Sequence, residues 1–215
     1  MRSNNNLYKN QGIHVISALF TVENGITKIL LIKRKNNPYK DMWALVGGAL
    51  YNNETLEEGM KREIIEKTSI QSIDLIFSHI FSEVDRSPVM RMIAVSYIGV
   101  IDYKRVNIMK DTLTTSNADW FSINELPKLA YDHNHIIIEC LETLKKEIFR
   151  TNILEALFPD GFTIPEIQKT YEIILNKTFD RRNFRKQLLS NKLIKDTNKH
   201  KVFEGKKPAK LYCFK

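Results

Sequence analysis

The stretch that most constrains the fold of this chain runs from Gly47 to Ile70 and reads GGALYNNETLEEGMKREIIEKTSI. Its two consecutive glycines allow the backbone to approach a neighbouring group closely, and a helix is predicted from about residue 55 to residue 67. Glu63 and Glu66 are three residues apart, so their carboxylates share one helix face. A divalent cation needs several oxygen ligands that converge from one side. The stretch therefore predicts a metal-binding helix beside a glycine turn, with an ordinary solvated acidic helix as the alternative.

Strand and helix patterns around this stretch predict an α+β fold. Residues 13–21 and 26–32 are rich in β-branched and apolar side chains, and the Asn24-Gly25 pair between them is a strong hairpin signal. Further strands are predicted over residues 73–81, 90–101 and 118–121. A helix is predicted over residues 133–149, with Asp132 as its N-cap. Because these strands and helices alternate without the regularity of βαβ units, a sandwich is favoured over a doubly wound sheet.

The last third of the chain has a different organisation. Helices are predicted over residues 152–158, 163–175 and 180–191, and short strands over 193–196 and 210–214. Thr163 and Asp180 are suited to cap the second and third of these helices, and Pro165 lies in the first turn of the second. Three helices followed by a hairpin is the order of a winged helix-turn-helix. We therefore predict two domains, over residues 1–150 and 151–215.

Positive charge is concentrated in the second predicted domain. The whole chain has a formal net charge of +8, and residues 151–215 hold 14 Lys and Arg residues against 7 Asp and Glu residues. Residues 1–150 hold 19 against 18 and are nearly neutral. This asymmetry favours a polyanionic partner for the second domain, with a merely solvated basic tail as the alternative.

Signals for the cellular compartment point to the cytoplasm. The first ten residues, MRSNNNLYKN, contain no apolar segment of the kind found in secretory signals. No run reaches the roughly 18 apolar residues expected of a membrane helix. The two cysteines, Cys140 and Cys213, are far apart and lack metal-ligand spacing. We therefore expect a cytoplasmic protein with reduced thiols and no membrane partner.

The third helix of the second domain, DRRNFRKQLLSN, is apolar on one side and basic on the other. Phe184 and Leu188 are four residues apart and are expected to face the core. Such a helix is suited to the major groove of DNA, where arginine binds guanine edges or phosphates and asparagine binds adenine. The predicted DNA-binding residues are Arg181, Arg182, Asn183, Arg185 and Lys186 in this helix and Lys206 and Lys207 in the wing. The alternative is a basic helix that only packs and is solvated.

The acidic stretch resembles the signature of the Nudix family, G-x5-E-x7-R-E-U-x-E-E-x-G-U, in which U is an aliphatic residue. The residues in register with it are Gly48, Glu54, Arg62, Glu63, Ile64, Glu66 and Ile70. The resemblance implies an α/β/α sandwich with a mixed sheet. It also implies that Glu63 and Glu66 bind magnesium (Mg²⁺) and activate a water that cleaves a diphosphate linked to a nucleoside-like group.

Two positions depart from that signature, because Lys67 replaces its second glutamate and Ser69 replaces its glycine. At an effective dielectric constant near 20, a pair of unit charges at about 4 Å interacts with roughly 4 kcal/mol. An ammonium in place of a carboxylate therefore disfavours a divalent cation, and we expect hydrolysis to be weak or lost. One magnesium ion bound through Glu63 and Glu66 is the alternative, and regulation is not expected to require it.

Side chains elsewhere in the first domain are predicted to bind a small effector. Arg86 and Arg91 stand beside predicted strand ends, and the planar arginine fork suits phosphate oxygens, with surface salt bridges to Glu83 and Asp85 as the alternative. The segment Asp-Arg-Ser-Pro at residues 85–88, followed by Arg91, resembles Nudix domains that bind ADP-ribose. The predicted effector-binding residues are Arg62, Arg86, Arg91, Trp43 and His133.

Almost the whole chain, from about Ile13 to Phe214, resembles Nudix-related transcriptional regulators that respond to ADP-ribose or to sugars. Its second half carries this resemblance in FTIPEIQKTYEIIL, in FDRRNFRKQLL and in a wing that ends in AKLYCF. The resemblance implies a regulator whose affinity for double-stranded operator DNA changes when a small effector binds. A homodimer is expected because helix-turn-helix proteins bind paired half-sites. The alternatives are a magnesium-dependent ADP-ribose or nucleotide-sugar pyrophosphatase and an RNA-binding Nudix protein.

Overall fold

The first domain of the computed structural model is a mixed sheet with a helix on each face. The structure describes residues 11–205 and 207–215, so Lys206, a predicted DNA-binding residue, lies outside the described residues. The strands are β1 (Gln11–Glu23), β2 (Ile26–Arg34), β3 (Trp43–Ala44), β4 (Val46–Ala49), β5 (Ile76–Phe81), β6 (Arg91–Val100) and β7 (Thr115–Ser122). The helices are α1 (Leu56–Thr68) and α2 (His133–Glu147). Strands are both parallel and antiparallel, so the predicted mixed sheet is confirmed.

The long strand β1 organises the sheet. The strand order is β3-β2-β1-β6-β5, with β4 paired to β1 and β7 paired to β2. One half of β1 pairs with β2 and the other half with β4, while β6 runs parallel to β1 along most of its length. Asn24 and Gly25 have positive φ values of 51° and 81°, as the central residues of a type I′ turn require. The predicted hairpin is therefore confirmed.

Alternation along β1 sends apolar side chains to both faces of the sheet. Val15 and Leu19 join the core beneath α1, together with Met60 and Ile64 from that helix. Ile16, Ala18 and Phe20 point the other way into the core that α2 covers with Ile136, Ile137, Cys140 and Leu144. Successive strand residues face opposite sides of a sheet, so a strand that is apolar throughout requires cover on both faces.

Helix α1 begins and ends on local signals. Thr55 caps its first turn in a capping box with Glu58, and both Glu57 and Glu58 lie where the helix dipole favours acidic residues. The helix ends at Ser69, whose φ of 64° places it in the left-handed region. A residue with a Cβ is disfavoured there by about 1–2 kcal/mol. The position at which the Nudix signature has glycine is therefore one whose backbone conformation favours glycine.

The second domain contains two helices and a two-stranded wing. Its elements are α3 (Ile164–Leu175), α4 (Arg181–Ser190), β8 (Ile194–Lys201) and β9 (Ala209–Phe214), preceded by a 3-10 turn at Glu155–Leu157. The helix predicted over residues 152–158 was wrong, because only this single turn forms. Phe158 precedes Pro159, which disfavours helical conformation at Phe158, and its backbone has φ −137° and ψ 51°.

Caps define the helix-turn-helix between α3 and α4. Glu166 accepts a hydrogen bond from the backbone N–H of Thr163 at 2.8 Å, which closes the first turn of α3. Asp180 accepts from the backbone N–H of Asn183 at 2.9 Å and begins α4. Phe184 and Leu188 of α4 are buried, as predicted from their spacing.

The two domains share apolar packing. The core between the sheet and α2 continues through Ile148 and Leu154 into Phe162, Tyr171 and Phe184 of the second domain. The hydroxyl of Tyr171 donates a hydrogen bond to the carbonyl of Ile148, just beyond α2. Among the described residues, no helix is long and apolar enough to cross a membrane.

Candidate effector pocket and DNA-binding face

Arg62 gathers the carboxylates that the sequence assigns to metal binding and catalysis. Its guanidinium donates to the two oxygens of Glu54 at 2.8 and 2.7 Å and to Glu63 Oε1 at 2.7 Å. A longer contact of 3.4 Å reaches Glu66 Oε2. Hydrogen bonds from Arg62 lower the pKa of Glu54 to about 2. One guanidinium thus holds three carboxylates on the side of α1 that faces the Gly47-Gly48 segment. A Cβ on Gly48 would collide with Glu63, so this glycine leaves room for the carboxylate.

Lys67 points inward rather than into solvent. Its Nζ lies 2.8 Å from Glu63 Oε2, in an ion pair that lacks hydrogen-bond geometry. The same ammonium donates a hydrogen bond to the carbonyl of Gly47. Only 14% of the lysine side chain is exposed. The positive charge that departs from the Nudix signature is therefore held against the central carboxylate of the predicted metal site.

The residues at this position do not fit a divalent cation as they stand. Glu63 is bound by Arg62 on one oxygen and by Lys67 on the other, while the Glu66 side chain is 52% exposed. Within residues 11–205 and 207–215, no three His, Cys, Asp or Glu side chains are grouped so as to hold a metal ion. Two cations already neutralise the carboxylate on which a metal site would be centred.

A cavity of about 280 Å³ opens beside the Gly47-Gly48 segment and is lined by cations. The charged or aromatic side chains in its wall are Arg34, Lys67, Arg86, His14, Tyr131 and His133. The guanidinium of Arg34 lies 5.1 Å from the centre of the Tyr131 ring, in a cation–π contact. The residues that line the cavity include no Asp or Glu. Its chemistry is therefore that of an anion site with aromatic surface beside it.

Arg86 is held in this wall by Asp132. The guanidinium donates to the two carboxylate oxygens at 2.9 and 2.8 Å, and only 5% of the arginine side chain is exposed. Asp132 does stand at the N-cap position of α2, but its side chain makes no capping hydrogen bond. The prediction that its carboxylate caps the helix was wrong, because a two-pronged ion pair with arginine is a stronger interaction than a single bond to a backbone amide.

Two histidines of the wall are held neutral. Burial, reinforced by the nearby charge of Arg86, lowers the pKa of His133 to about 3 and that of His14 to about 4. The Nδ1 atom of His133 accepts a hydrogen bond from the backbone N–H of Leu45 at 3.0 Å, which requires that nitrogen to be unprotonated. Neutral rings leave the lysine and the two arginines as the charged groups that the described residues contribute to the wall.

The remaining predicted effector residues lie elsewhere. Arg62 belongs to the carboxylate network, Arg91 donates to the carbonyl of Glu83 at 2.9 Å, and Trp43 packs edge-on against Phe121. None of these three predicted residues lines the cavity, whereas Arg86 and His133 do. Sequence reasoning missed Arg34, Tyr131 and His14. Their one local signal is position, because Arg34 ends β2 and Tyr131 stands just before α2.

Helix α4 presents an exposed basic face. Arg181, Arg182, Asn183, Arg185 and Lys186 are all exposed, as is Lys207 in the wing. In the part of the chain that the structure describes, Arg181, Arg182, Arg185 and Lys186 form no ion pair. The guanidinium of Arg185 donates a hydrogen bond of 3.3 Å to the hydroxyl of Tyr212 in the wing. The sequence-predicted DNA residues of α4 are thus brought together on one surface.

Beyond the capping carboxylate of Asp180, the residues in the first turn of α4 oppose the helix dipole. The positive end of a helix dipole disfavours cations by several tenths of a kcal/mol, yet Arg181 and Arg182 occupy this turn and it contains no acidic residue. In contrast, α1 begins with Glu57 and Glu58. Local rules are broken in this way mainly at functional sites.

Two family descriptions match the chain. The NUDIX domain family matches residues 13–141, and the NrtR DNA-binding winged helix domain matches residues 154–214. The ADPR responsive transcriptional repressor NtrR of Acinetobacter baylyi is 31% identical over 201 residues, which cover 92% of this chain and 79% of that protein. The chain belongs to the NrtR family of Nudix-related transcriptional regulators.

Solved structures of NrtR proteins share the complete architecture. Shewanella oneidensis NrtR complexed with a 27mer DNA superposes with a TM-score of 0.80 at 27% identity, covering 94% of this chain and 93% of that one. The NUDIX domain of the same NrtR complexed with ADP ribose has a TM-score of 0.57 at 26% identity, covering 64% of this chain and 91% of that one. The predicted fold class and family resemblance are therefore confirmed. The NUDIX match contains the cavity, and the NrtR winged helix match contains α4 and the wing.

Proposed function

We propose that this protein is a transcriptional repressor that binds operator DNA through α4 and the wing and changes its DNA affinity when ADP-ribose enters the cavity. The observation that carries this proposal is the connection of a cationic cavity to an exposed basic helix by one shared apolar core. Relatives support it, since an NrtR protein has been crystallised with DNA and its NUDIX domain with ADP ribose.

The chemistry of the cavity supports a nucleotide-like effector. A diphosphate matches the cations Arg34, Lys67 and Arg86, because phosphate oxygens accept charge-assisted hydrogen bonds from guanidinium and ammonium groups. An adenine or ribose group would lie against the neutral surfaces of Tyr131 and His133, whose rings stack with their centres 5.4 Å apart. A free sugar without phosphate would leave the cations unused. This difference favours ADP-ribose over a pentose.

The chemistry of α4 supports double-stranded DNA as the partner of the second domain. The N-terminal residues of a recognition helix contact base edges in the major groove, and Arg181, Arg182 and Asn183 occupy this end of α4. Arg185 and Lys186 follow on the exposed side, and Lys207 in the wing would reach the adjacent phosphates. We expect binding to weaken steeply with salt, since each neutralised phosphate releases counterions.

Helix α2 offers a physical route between the two sites. Its N-terminus lies at the cavity, where Asp132 binds Arg86. Its C-terminal end, about 22 Å away for a helix of 15 residues, leads to Ile148, whose carbonyl accepts the hydroxyl of Tyr171 in α3. The Tyr171 ring in turn contacts Phe184 of α4, with ring centres 5.1 Å apart. A shift of α2 on effector binding would therefore move the helix that holds α4.

We further propose a homodimer, because paired half-sites one helical turn apart require two recognition helices. One chain has a mass of 25.1 kDa, and sedimentation equilibrium should give twice this value. A monomer at the protein concentrations that bind DNA would contradict the dimer. A cytoplasmic location follows from the proposed role, since operator DNA lies there.

The function is tested by measuring DNA binding with and without effector. Double-stranded DNA selected from a random library by the protein itself would be titrated by fluorescence anisotropy. We expect saturating ADP-ribose to change the dissociation constant at least about fivefold, and AMP or ribose to change it much less. ADP-ribose at a hundredfold excess over its dissociation constant should also stabilise the protein by about 2.7 kcal/mol. An unchanged DNA affinity at saturating ADP-ribose would contradict the proposal.

A second candidate, a weak ADP-ribose pyrophosphatase, is favoured by the grouping of Glu54, Glu63 and Glu66 around Arg62. The ion pair between Lys67 and Glu63 argues against it. Release of AMP from ADP-ribose in the presence of magnesium or manganese, lost in Glu66→Gln, would support this candidate. If AMP is released much more slowly than ADP-ribose changes DNA binding, the repressor remains the proposed function.

A further inference from the structure

The Lys67 ammonium occupies a defined position at the floor of the cavity. It lies 2.8 Å from Glu63 Oε2 and donates to the carbonyl of Gly47, so an ion pair within α1 and a hydrogen bond to β4 hold it in place. An ammonium carries three N–H donors. Its contacts with Gly47 and Glu63 face the protein, and the cavity wall includes the same side chain. Donors that Gly47 does not use are therefore available on a side chain that lines the cavity.

The charges of the wall favour an anion. Arg34, Lys67 and Arg86 contribute three positive charges. Asp132 and Glu63 neutralise two of them from behind, because they pair with Arg86 and Lys67 without lining the cavity themselves. Arg34 is bound to backbone carbonyls, those of Pro38 at 3.0 Å and Asn36 at 3.4 Å. Among the described residues Arg34 has no carboxylate partner, and all three cationic groups border the same space.

We propose that the Lys67 ammonium serves as the fixed counter-charge for the phosphates of the effector, in the position where a hydrolytic Nudix site would place a divalent cation. This inference rests on the proposed function for the identity of the effector. Arg62 holds Glu63 Oε1, so a magnesium ion that coordinates Glu63 through Oε2 has to displace Lys67. Lysine is a compact, strongly hydrated point charge that binds phosphate oxygens well. ADP-ribose binding is therefore independent of divalent metal in this protein.

Calorimetric titration of the full chain with ADP-ribose tests the inference. With excess magnesium and with EDTA, the two dissociation constants of the parent protein should agree within about twofold. Binding that appears only with magnesium overturns the inference while the proposed function stands. The absence of ADP-ribose binding under both conditions contradicts the proposed function itself, so the two failures are distinguishable.

Variants at the same position provide the second arm. Lys67→Met should weaken ADP-ribose binding in EDTA by about tenfold or more, whereas Lys67→Arg, which keeps the charge, should retain most of it. Lys61→Met is the matched control, because Lys61 is an exposed lysine on the same helix. Unchanged binding by Lys67→Met overturns the inference. Should Lys67→Met fail to fold, as thermal melting would show, the parent titrations and Lys67→Glu still decide.

Lys67→Glu converts the position to the residue of the Nudix signature. We expect this variant to bind ADP-ribose poorly in EDTA and to recover at least about fivefold in affinity when magnesium is added. Such a metal dependence, absent from the parent, identifies the ammonium as the replacement of the ion. The inference is overturned if Lys67→Glu binds ADP-ribose in EDTA as tightly as the parent does. It is also overturned if added magnesium does not restore the ADP-ribose affinity of this variant.

Discussion

The effector cavity and the face of α4 are both cationic, but their charges have opposite surroundings. In the cavity, Lys67 and Arg86 are 14% and 5% exposed, and each is paired with a carboxylate behind it. On α4 the arginines are exposed and, within the described residues, form no ion pair. The first arrangement positions a few donors for one small anion. The second leaves charge available to a long polyanion.

Under the proposed function, this difference separates two kinds of anion recognition in one chain. Buried ion pairs hold each donor in place, because removing either partner leaves an uncompensated charge. Exposed charges are mobile and screened by salt, which suits an electrostatic attraction to the DNA backbone. A buried donor should therefore decide which ligand binds, and an exposed donor should decide how strongly DNA is held.

The largest expected effect is on the exposed face. Arg182→Ala combined with Arg185→Ala should weaken operator binding at least about thirtyfold, because each lost base or phosphate contact costs about 1–3 kcal/mol. ADP-ribose binding should be unchanged. Fluorescence anisotropy at several salt concentrations measures the loss of DNA affinity. The slope of affinity against salt should also fall by the equivalent of about one to two phosphate contacts.

The matched control for that variant removes two positive charges from the first domain, through Lys61→Ala and Lys146→Ala. Both lysines are exposed. If this control loses as much DNA affinity as the α4 variant, net charge and not the face of α4 governs binding.

The next effect concerns the buried histidines of the cavity. His133 has a pKa of about 3 in the folded protein against 6.5 when unfolded, so between these values only the unfolded state takes up the proton. Stability is therefore lost as the pH falls, by about 2 kcal/mol from pH 7 to pH 5 for His133, and His14 contributes in the same direction. Denaturant unfolding at a series of pH values measures this slope.

The variant His133→Asn keeps an acceptor for the backbone N–H of Leu45 but cannot titrate. We expect its loss of stability between pH 7 and pH 5 to be smaller than that of the parent by about 2 kcal/mol. An identical slope in both proteins would show that the buried ring does not set the acid sensitivity of the cavity domain.

A third effect separates two arginines that lie five residues apart. Arg86→Met should weaken ADP-ribose binding by about tenfold or more, because it removes a donor from the cavity wall and leaves Asp132 without its partner. Arg91→Met is the control, since this arginine contacts a backbone carbonyl outside the wall. Calorimetric titration compares the two, and equal losses would argue against the cavity as the effector site.

The smallest effect lies where the two regions join. Tyr171→Phe removes the hydroxyl that donates a hydrogen bond to the carbonyl of Ile148, and it should cost about 1 kcal/mol in stability. We expect it to reduce the change in DNA affinity caused by ADP-ribose while each ligand alone still binds. Tyr97→Phe is the control, because this buried tyrosine of β6 lies in the core beneath α1, away from the contact between the domains. A full ADP-ribose response in Tyr171→Phe would remove this contact from the route between the sites.

Elements with strong local signals were predicted from the sequence. The Asn24-Gly25 hairpin, the N-caps Thr163 and Asp180, and the buried pair on α4 all depend on residues close together in the chain. The short strands β3 and β4 were not predicted, because four residues or fewer carry too little periodicity. The domain boundary at residues 150 and 151 stays a prediction.

The cavity was predicted only in part. Arg86 and His133 were proposed from residue type and family resemblance, but the wall also includes Arg34 and Tyr131 from distant parts of the chain. Arg91, equally basic and close to Arg86 in sequence, is turned to a backbone carbonyl. Charge and spacing do not reveal which of two neighbouring arginines a fold will enclose.

The sequence by itself determined the two kinds of domain, the match of the acidic helix to the Nudix signature and the basic face of α4. Each of these depends on turn residues, periodicity or spacing within one element. Tertiary structure alone decided that Lys67 turns inward onto Glu63, that Asp132 binds Arg86 instead of capping α2, and that one core joins both domains. Those outcomes depend on which groups of separate elements are brought within a few ångströms. At such distances, burial makes the pairing of opposite charges outweigh the local preference of either residue.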